Sequence, residues 1–306
     1  MSAIDTLYPE TEEEIARIVG EADAAGRAVE VRGGGTRLGV GRPVETPVVL
    51  SVARLSGITS YDPSELVMAA RAGTPVAEVE AALAANNQML TFEPLDHRPL
   101  LGSTGEPTIG GVFAGNISGP RRISAGAARD NLLGVRFVNG SGEIVKSGGR
   151  VMKNVTGLDL VKLMAGSWGT LGVMCEVTFK VLPRPETAVT VAVSGLNDAQ
   201  AAEAMAAAMA MSVEVSGAAH LPESVIGRFS ADSLKGGPAT VLRIEGLAPS
   251  VEVRQDRLVS EMQRRGAVTV LEDGASSGLW REIRDVIPFA DGSMKPVWRV
   301  SVAPSA

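Results

Sequence analysis

The sequence predicts an α+β protein with two domains, residues 1–185 and 186–306. A length of 306 residues corresponds to about two domains of ordinary size. Both helical apolar repeats and short β-branched runs occur in each half of the chain. The composition also changes after Pro183-Arg184-Pro185, where a glycine-rich part of the chain ends. This change of composition places the domain boundary at residue 185.

The second domain is predicted from the order of its elements. Strands are expected at 187–194, 213–221, 239–245 and 267–271, and helices at 198–211 and 249–265. This βαββαβ order is the split-βαβ pattern of ferredoxin-like folds. A short helix near 280–286 and a strand at 297–302 are expected to follow it.

The first domain is organised around a glycine loop. A capping box at Thr11-Glu12-Glu13-Glu14 begins a helix, and the strand predicted at 28–31 then leads into Gly33-Gly34-Gly35-Thr36. Glycine has no Cβ to hold a ligand away, and successive N–H groups in such a loop can bind an anion. The loop contains no Walker A lysine, and its spacing does not fit the Rossmann fingerprint. It predicts either a diphosphate cradle or a plain glycine-rich hairpin.

Two further small-residue segments favour the cradle. Residues 108–116 lie in a loop-rich part of the chain where the backbone could approach a flat ligand, and residues 166–173 form a third glycine cluster. Arg121 and Arg122 supply two cations beside the first of these segments, unless they are solvated and paired with nearby acids. Three glycine-rich turns in one domain predict a large bound cofactor.

Composition excludes several classes of function. A net charge of −6 without a dense Lys/Arg tract gives no reason to expect nucleic-acid binding. The single cysteine, Cys175, excludes an internal disulfide and a Cys-ligated iron–sulfur cluster on this chain, and we expect it to be a buried, inert thiol. No metal site is predicted. The start of the sequence is not a secretory signal, and the alanine-rich helix near 199–211 is too short to span a bilayer, so we expect a soluble, cytoplasmic protein.

Six segments in register carry a resemblance to a known family. They are 31–36, 108–111, 118–122, 129–134, 148–160 and 166–173, and they are followed by Lys180-Val181-Leu182-Pro183-Arg184-Pro185. Together they resemble the FAD-binding subunits of glycolate oxidase, which are flavoproteins of the vanillyl-alcohol-oxidase group with a PCMH-type FAD-binding domain. The resemblance covers residues 9–185 and implies FAD bound between two α+β subdomains of the first domain.

The resemblance also implies which residues hold FAD. Residues 32–36 would wrap the diphosphate, residues 108–111 and 114–118 would lie near the diphosphate and the flavin ring, and residues 169–173 would hold the adenosine end. The predicted cofactor residues are Arg32, Gly33, Gly34, Gly35, Thr36, Thr108, Ile109, Gly110, Gly111, Ala114, Gly115, Asn116, Ser118, Gly169, Thr170, Gly172 and Val173. Neither histidine of the chain, His97 or His220, lies in the glycine loop, so we expect the FAD to be non-covalent.

The chemistry expected of this family is the oxidation of a 2-hydroxy acid, here glycolate to glyoxylate. Such a site needs a carboxylate anchor and a base, while the flavin accepts the hydride. Arg121 and Arg122 are candidate anchors because guanidinium binds carboxylate bidentately, and His220 is a weak candidate base. The resemblance implies that electrons pass to partners, a homologous FAD-containing catalytic subunit and an iron–sulfur subunit, which would also provide any membrane association.

Two other functions remain open from the sequence. The chain could be a self-sufficient flavin oxidoreductase acting on a sugar, a lactone or another alcohol, with His220 reaching over the flavin. It could instead be a non-catalytic flavin-binding scaffold for a catalytic partner. The sequence also leaves open which hydroxy acid is used, the stoichiometry of a complex, the terminal acceptor, and whether a segment is missing beyond Ala306.

Overall fold

The computed structural model describes residues 5–42, 46–149, 157–234, 236–293 and 295–302. The chain divides into two units. The first contains the residues up to Ser118 together with 126–184, and the second contains 119–125 together with the residues from Pro185 onward. The chain therefore enters the second unit at Gly119, returns at Gly126 and leaves the first unit again after Arg184. A single boundary at residue 185 had left the segment 119–125 in the first domain.

A parallel sheet of three strands begins the first unit. Its strands are β1 (Asp5–Leu7), β2 (Val29–Arg32) and β3 (Val48–Ser51), in the order β1-β3-β2. Helix α1 (Glu12–Ala24) connects β1 to β2. The Thr11 hydroxyl accepts from the Glu14 N–H, but the Glu14 carboxylate accepts from the Glu10 N–H, so the predicted capping box is only half formed. Strand β2 ends at Arg32, immediately before the glycine loop.

The second sheet of this unit is antiparallel and has five strands in the order β4-β5-β9-β7-β8. They are β4 (Ile58–Asp62), β5 (Val67–Arg71), β7 (Leu132–Val138), β8 (Ile144–Gly148) and β9 (Val173–Lys180). In the core, the ring of Phe113 packs against those of Phe92 and Phe179, with centroid distances of 5.5 and 5.3 Å. Two sheets in one unit agree with the two α+β subdomains that the family resemblance implies.

Short elements complete the first unit. They are α2 (Val76–Ala84), β6 (Gln88–Met89), α3 (Arg98–Leu101), α4 (Ile109–Ala114), α6 (Ala128–Asn131), α7 (Leu160–Met164) and β10 (Leu182–Pro183), while α5 (Arg122–Ala125) belongs to the second unit. Helix α4 corrects the expectation of a loop at 108–116. It forms because the Thr108 hydroxyl caps it by accepting from the Gly111 N–H at 3.4 Å.

The second unit is a four-stranded antiparallel sheet in the order β12-β13-β11-β14. Its elements are β11 (Thr187–Ser194), α8 (Asp198–Ala210), β12 (Gly217–Leu221), α9 (Glu223–Ile226), β13 (Ala239–Gly246), α10 (Ala248–Met262), β14 (Ala267–Glu272) and α11 (Asp273–Arg284). The order of strands and of the two long helices α8 and α10 is the βαββαβ order predicted from the sequence. Numbered within the unit, the strands follow the order 4-1-3-2 of ferredoxin-like sheets.

The end of the chain differs from the prediction. The expected short helix near 280–286 is part of the longer helix α11. The strand expected at 297–302 is absent, and this described segment has no regular structure. Its alternating apolar residues Trp298, Val300 and Val302 are 69–83% exposed, since no neighbouring strand pairs with them.

None of the helices in the described part of the chain is long and apolar enough to cross a membrane. The same residues contain no group of three or more His, Cys, Asp or Glu side chains that could hold a metal ion.

Candidate functional site

A cleft in the first unit collects most of the predicted cofactor residues. It has a volume of about 810 Å³ including the space open to solvent. Twelve of the predicted residues line it: Arg32, Gly33, Gly34, Gly35, Thr36, Thr108, Gly110, Gly111, Ala114, Gly115, Gly169 and Gly172. The cleft thus brings together the glycine loop, helix α4 and the third glycine cluster, which lie far apart in the sequence.

Two glycines of the loop are required by contacts within the chain. A Cβ on Gly34 would lie 1.6 Å from the main-chain oxygen of Glu106, and a Cβ on Gly33 would lie 2.4 Å from Oγ1 of Thr108. The Ser103 hydroxyl also donates to the main-chain oxygen of Thr36 at 3.0 Å. The segment after α3 therefore packs directly against one side of the glycine loop and fixes its backbone.

The other side of the loop presents unused hydrogen-bond donors. In the part of the chain that the structure describes, no hydrogen bond uses the N–H of Gly34, Gly35 or Thr36. Gly35 has φ +73°, a left-handed conformation that favours glycine. Consecutive N–H groups without partners form a site for an anion, and a diphosphate is an anion of suitable size.

Arg37 adds a cation to this cleft, and the sequence analysis missed it. Its Nε donates to Nδ1 of His97 at 3.3 Å, while no hydrogen bond among the described residues uses its two terminal nitrogens. One of these nitrogens lies 3.2 Å from the position of a Cβ on Gly111. Burial lowers the pKa of Arg37 to about 10, although the negative charge of Asp96 acts in the opposite direction. A guanidinium partly removed from water and with two free donor groups is suited to bind an anion.

Arg32, which the sequence analysis chose, already has a carboxylate partner. Its Nε and one terminal nitrogen donate to the same oxygen of Glu30 at 3.1 and 2.8 Å. Residues two apart lie on the same face of a strand, so the Glu30 and Arg32 spacing on β2 predicts this pair. Arg37 has no acid two positions away in the sequence. That difference is the signal that would have identified it.

Five predicted cofactor residues do not line the cleft. Ile109 and Val173 are buried in the core. Asn116 Oδ1 accepts from the Arg129 N–H at 2.9 Å, and Ser118 Oγ accepts from the Ala128 N–H at 2.8 Å. The Thr170 hydroxyl donates to the main-chain oxygen of Ser167 at 2.6 Å. These five positions shape the segments that carry the lining residues.

The candidate catalytic residues all belong to the second unit. Arg121 donates to both carboxylate oxygens of Glu245, at 3.0 and 2.6 Å, and its side chain is only 11% exposed. Arg122 is exposed at the start of α5. His220 lies on β12 with Nδ1 3.0 Å from Thr240 Oγ1 and Nε2 3.3 Å from the Asp198 carboxylate. The proposed role of Arg121 as a substrate anchor is therefore weakened, because a carboxylate of its own unit already occupies its guanidinium.

The motifs that carry the family resemblance also include Lys153-Asn154-Val155-Thr156, within the segment 148–160. Residues 150–156 lie outside the described residues.

Of the cleft lining that the structure describes, the titratable side chains are Arg32 and Arg37. The site is therefore an anion-binding cradle with apolar walls, which fits the diphosphate and rings of a dinucleotide.

Comparison with known proteins identifies this cradle. Residues 6–148 match the family model described as FAD binding domain. Just under half of the chain is therefore similar to an FAD-binding domain. Its cofactor is FAD, and the unpaired N–H groups of the glycine loop and the free donors of Arg37 are the features of this structure that fit the diphosphate of FAD.

Three curated relatives each match a little over half of the chain. Glycolate oxidase subunit GlcE of Escherichia coli is 46% identical over 160 residues, which are 52% of this chain and 44% of that protein. Glycolate oxidase subunit GlcD of Bacillus subtilis is 32% identical over 182 residues, 59% of this chain and 37% of that protein. D-2-hydroxyglutarate dehydrogenase of Xanthomonas citri is 34% identical over 178 residues, 58% of this chain and 36% of that protein. The matched stretch is less than half of each relative.

A solved structure of alkyldihydroxyacetonephosphate synthase resembles the chain beyond the FAD-binding domain. The TM-score is 0.73 at 19% sequence identity, and the likeness covers 93% of this chain and 54% of that chain. At this identity the likeness shows the fold alone. Together with the family match over residues 6–148, this likeness confirms the predicted fold class, a PCMH-type FAD-binding domain within an α+β chain.

Proposed function

We propose that this chain is an FAD-binding subunit of a flavoprotein that oxidises a 2-hydroxy acid, with glycolate as the first candidate substrate. Its electrons would leave through partner subunits, a homologous FAD-containing subunit and an iron–sulfur subunit. The oxidation would be an activity of the whole assembly, of which this FAD-binding chain would be one part.

One observation supports a 2-hydroxy acid as the class of substrate. Glycolate and D-2-hydroxyglutarate, which appear in the names of three relatives from different organisms, are both 2-hydroxy acids. The 46% identical relative is named as a glycolate oxidase subunit, and this favours glycolate over a longer acid and a subunit over a self-sufficient enzyme. Those names belong to the relatives, and here they supply the hypothesis to test.

The residues of the cleft suit a role in holding the cofactor. Bound FAD supplies the acceptor for the hydride that leaves the hydroxy-bearing carbon of the substrate. The N–H groups of Gly34, Gly35 and Thr36 and the guanidinium of Arg37 would hold its diphosphate. We propose non-covalent attachment because no histidine stands among the described lining residues. The same lining presents no carboxylate to act as a base, so the base would come from elsewhere in the assembly.

The test is an anaerobic titration of the purified FAD-loaded chain, followed by absorbance near 450 nm. In a separate sample, acid precipitation should release the flavin into the supernatant, because the denatured chain does not retain non-covalent FAD. Glycolate should then bleach the flavin in the assembly of this chain with its partner subunits, but not in the isolated chain. D-lactate and D-2-hydroxyglutarate tested in parallel rank the acids.

Three results would contradict the proposal in different ways. Bleaching of the isolated chain by glycolate would show a complete substrate site and remove the need for partners. Bleaching by a sugar or a lactone, with no response to any hydroxy acid, would favour the self-sufficient alternative. Full activity of an assembly whose copy of this chain carries no FAD would favour the scaffold alternative.

A further inference from the structure

Trp168 is an exposed aromatic residue on the lining of the FAD cleft. It stands immediately before Gly169 in the third glycine cluster, and its side chain is 49% exposed. A large aromatic ring gains stability when it is removed from water, so half-exposure at the rim of a cleft leaves apolar surface available for a ligand. The other two tryptophans, Trp280 and Trp298, belong to the second unit, the first buried and the second exposed.

The backbone at Trp168 is held in a conformation that tryptophan rarely adopts. Its φ is +55°, and a positive φ is a strained conformation for a bulky residue. The surrounding hydrogen bonds impose it: the Trp168 N–H donates to the main-chain oxygen of Ala114 at 2.9 Å, and the Gly166 N–H donates to that of Phe113 at 3.1 Å. The chain therefore tolerates a strained position to keep a tryptophan ring at the cleft.

The position of Trp168 relative to Arg37 suits the two chemical parts of a dinucleotide. A terminal nitrogen of Arg37 lies next to Gly111, while Trp168 is bonded to Ala114, three residues further along α4. Three residues correspond to a rise of about 4.5 Å along a helix. The cleft thus offers a cation for phosphate at one level and an aromatic surface for a ring at the next.

We infer that Trp168 is a stacking platform for one of the two ring systems of FAD, the purine or the isoalloxazine. This inference rests on FAD being the ligand of the cleft and adds a residue that determines affinity. Stacking on an aromatic side chain is worth about a tenfold to hundredfold in affinity when a nucleic-acid base is the partner, and a similar effect is expected here.

The test compares W168G and W168F with the unaltered chain, and W298F serves as the control for an exposed tryptophan outside the cleft. Dissociation constants for FAD, ADP and riboflavin are measured by calorimetry on the flavin-free chain, and its thermal unfolding is recorded. Glycine accepts φ +55° without strain, so W168G should unfold at the same temperature or higher while binding FAD about tenfold more weakly. W168F should retain FAD within about threefold, since phenylalanine keeps an aromatic face.

The two smaller ligands distinguish the ring. Weaker ADP binding by W168G with unchanged riboflavin binding assigns the purine, and the reverse assigns the isoalloxazine. Equal FAD affinity in W168G, W298F and the unaltered chain would overturn the inference but leave FAD binding intact. Failure of the unaltered chain to bind FAD would overturn both. A fall in unfolding temperature together with unchanged affinity would show that Trp168 has a purely structural role.

Discussion

The Nε of Arg37 donates a hydrogen bond to Nδ1 of His97 across 3.3 Å. This contact turns the guanidinium so that its two terminal nitrogens remain for the cleft, and it requires that Nδ1 of His97 carry no proton. His97 precedes α3, whose following segment packs against the glycine loop. The histidine therefore holds the guanidinium of Arg37 at the cleft.

Replacing Arg37 with glutamine should weaken FAD binding about tenfold or more, because a charge-assisted hydrogen bond to phosphate is lost. The FAD affinity of Arg37→Lys should lie between those of the glutamine variant and the unaltered chain. Lysine keeps the charge but loses both the fork of donors and the Nε contact. Arg17→Gln is the matched control, because Arg17 is exposed on α1 and pairs with Glu21 of the same helix. The measurement is the dissociation constant of FAD by calorimetry, and equal values for R37Q and R17Q would contradict the role of Arg37.

Gly34→Ala should destabilise the FAD-binding domain even when no FAD is present. The added Cβ would lie 1.6 Å from the Glu106 main-chain oxygen, and a backbone atom cannot move aside cheaply. Overpacking of this kind typically costs about 1–3 kcal/mol of unfolding free energy. Gly39→Ala is the control because a Cβ there meets nothing within 4 Å.

The two glycine variants are compared by thermal unfolding of the flavin-free protein followed by circular dichroism. A lower transition temperature for G34A than for G39A is expected. If both variants unfold at the temperature of the unaltered chain and G34A loses only FAD affinity, the glycine would be needed for the ligand and not for the fold.

Some features of the site could be predicted from the sequence and others could not. The run from Gly33 to Thr36 predicted either an anion cradle or a plain glycine-rich hairpin, and the two further glycine-rich segments favoured the cradle. The tight contact between Gly34 and Glu106 could not be predicted, because it depends on two segments 72 positions apart in the numbering. Arg37 was missed for a related reason: its hydrogen bond to His97 joins residues 60 apart.

The fold was predictable where local pattern and tertiary pairing agree. The strands and long helices of the second unit follow from alternation and helical spacing, and the structure places them in the predicted order. The same alternation at 297–302 predicted a strand that is absent from the structure, because a strand exists only where a neighbour supplies hydrogen bonds. Strand β4 was missed because Thr59, Ser60 and Asp62 interrupt its apolar pattern.

Stability of the second unit should depend on pH through Glu245. Burial acts to raise the pKa of this carboxyl, but the hydrogen bond from Arg121 and the charge of Arg243 outweigh it, so the pKa lies below its usual value of 4.5. A carboxyl with a lowered folded-state pKa stabilises the fold above its unfolded pKa, and this contribution is lost as the pH falls through the folded value. The free energy of unfolding should therefore decrease on acidification below about pH 4.5.

Glu245→Gln isolates this contribution. The neutral side chain removes the carboxylate charge beside the buried guanidinium groups of Arg121 and Arg243, so the variant should be less stable at pH 7 by about 3–5 kcal/mol. The difference between E245Q and the unaltered chain should shrink as the pH is lowered. Guanidinium titrations at pH 3.5, 5 and 7 measure it, with exposed Glu252→Gln as control; a difference that does not change with pH would contradict the assignment.

Cys175 should be inert in the folded protein. It lies on β9 with 3% of its surface exposed, and burial raises the pKa of its thiol to about 12 from an ordinary 9.0. Because only the thiolate reacts, a rise of this size lowers the reactive fraction at pH 8 about a thousandfold, and burial further limits access. A thiol reagent such as dithiobis(nitrobenzoic acid) should therefore not react with the native chain over an hour, yet should titrate one thiol per chain in 6 M guanidinium. Cys175→Ser is the blank for both conditions, and rapid reaction of the native protein would show that β9 opens far more readily than its place in the central sheet allows.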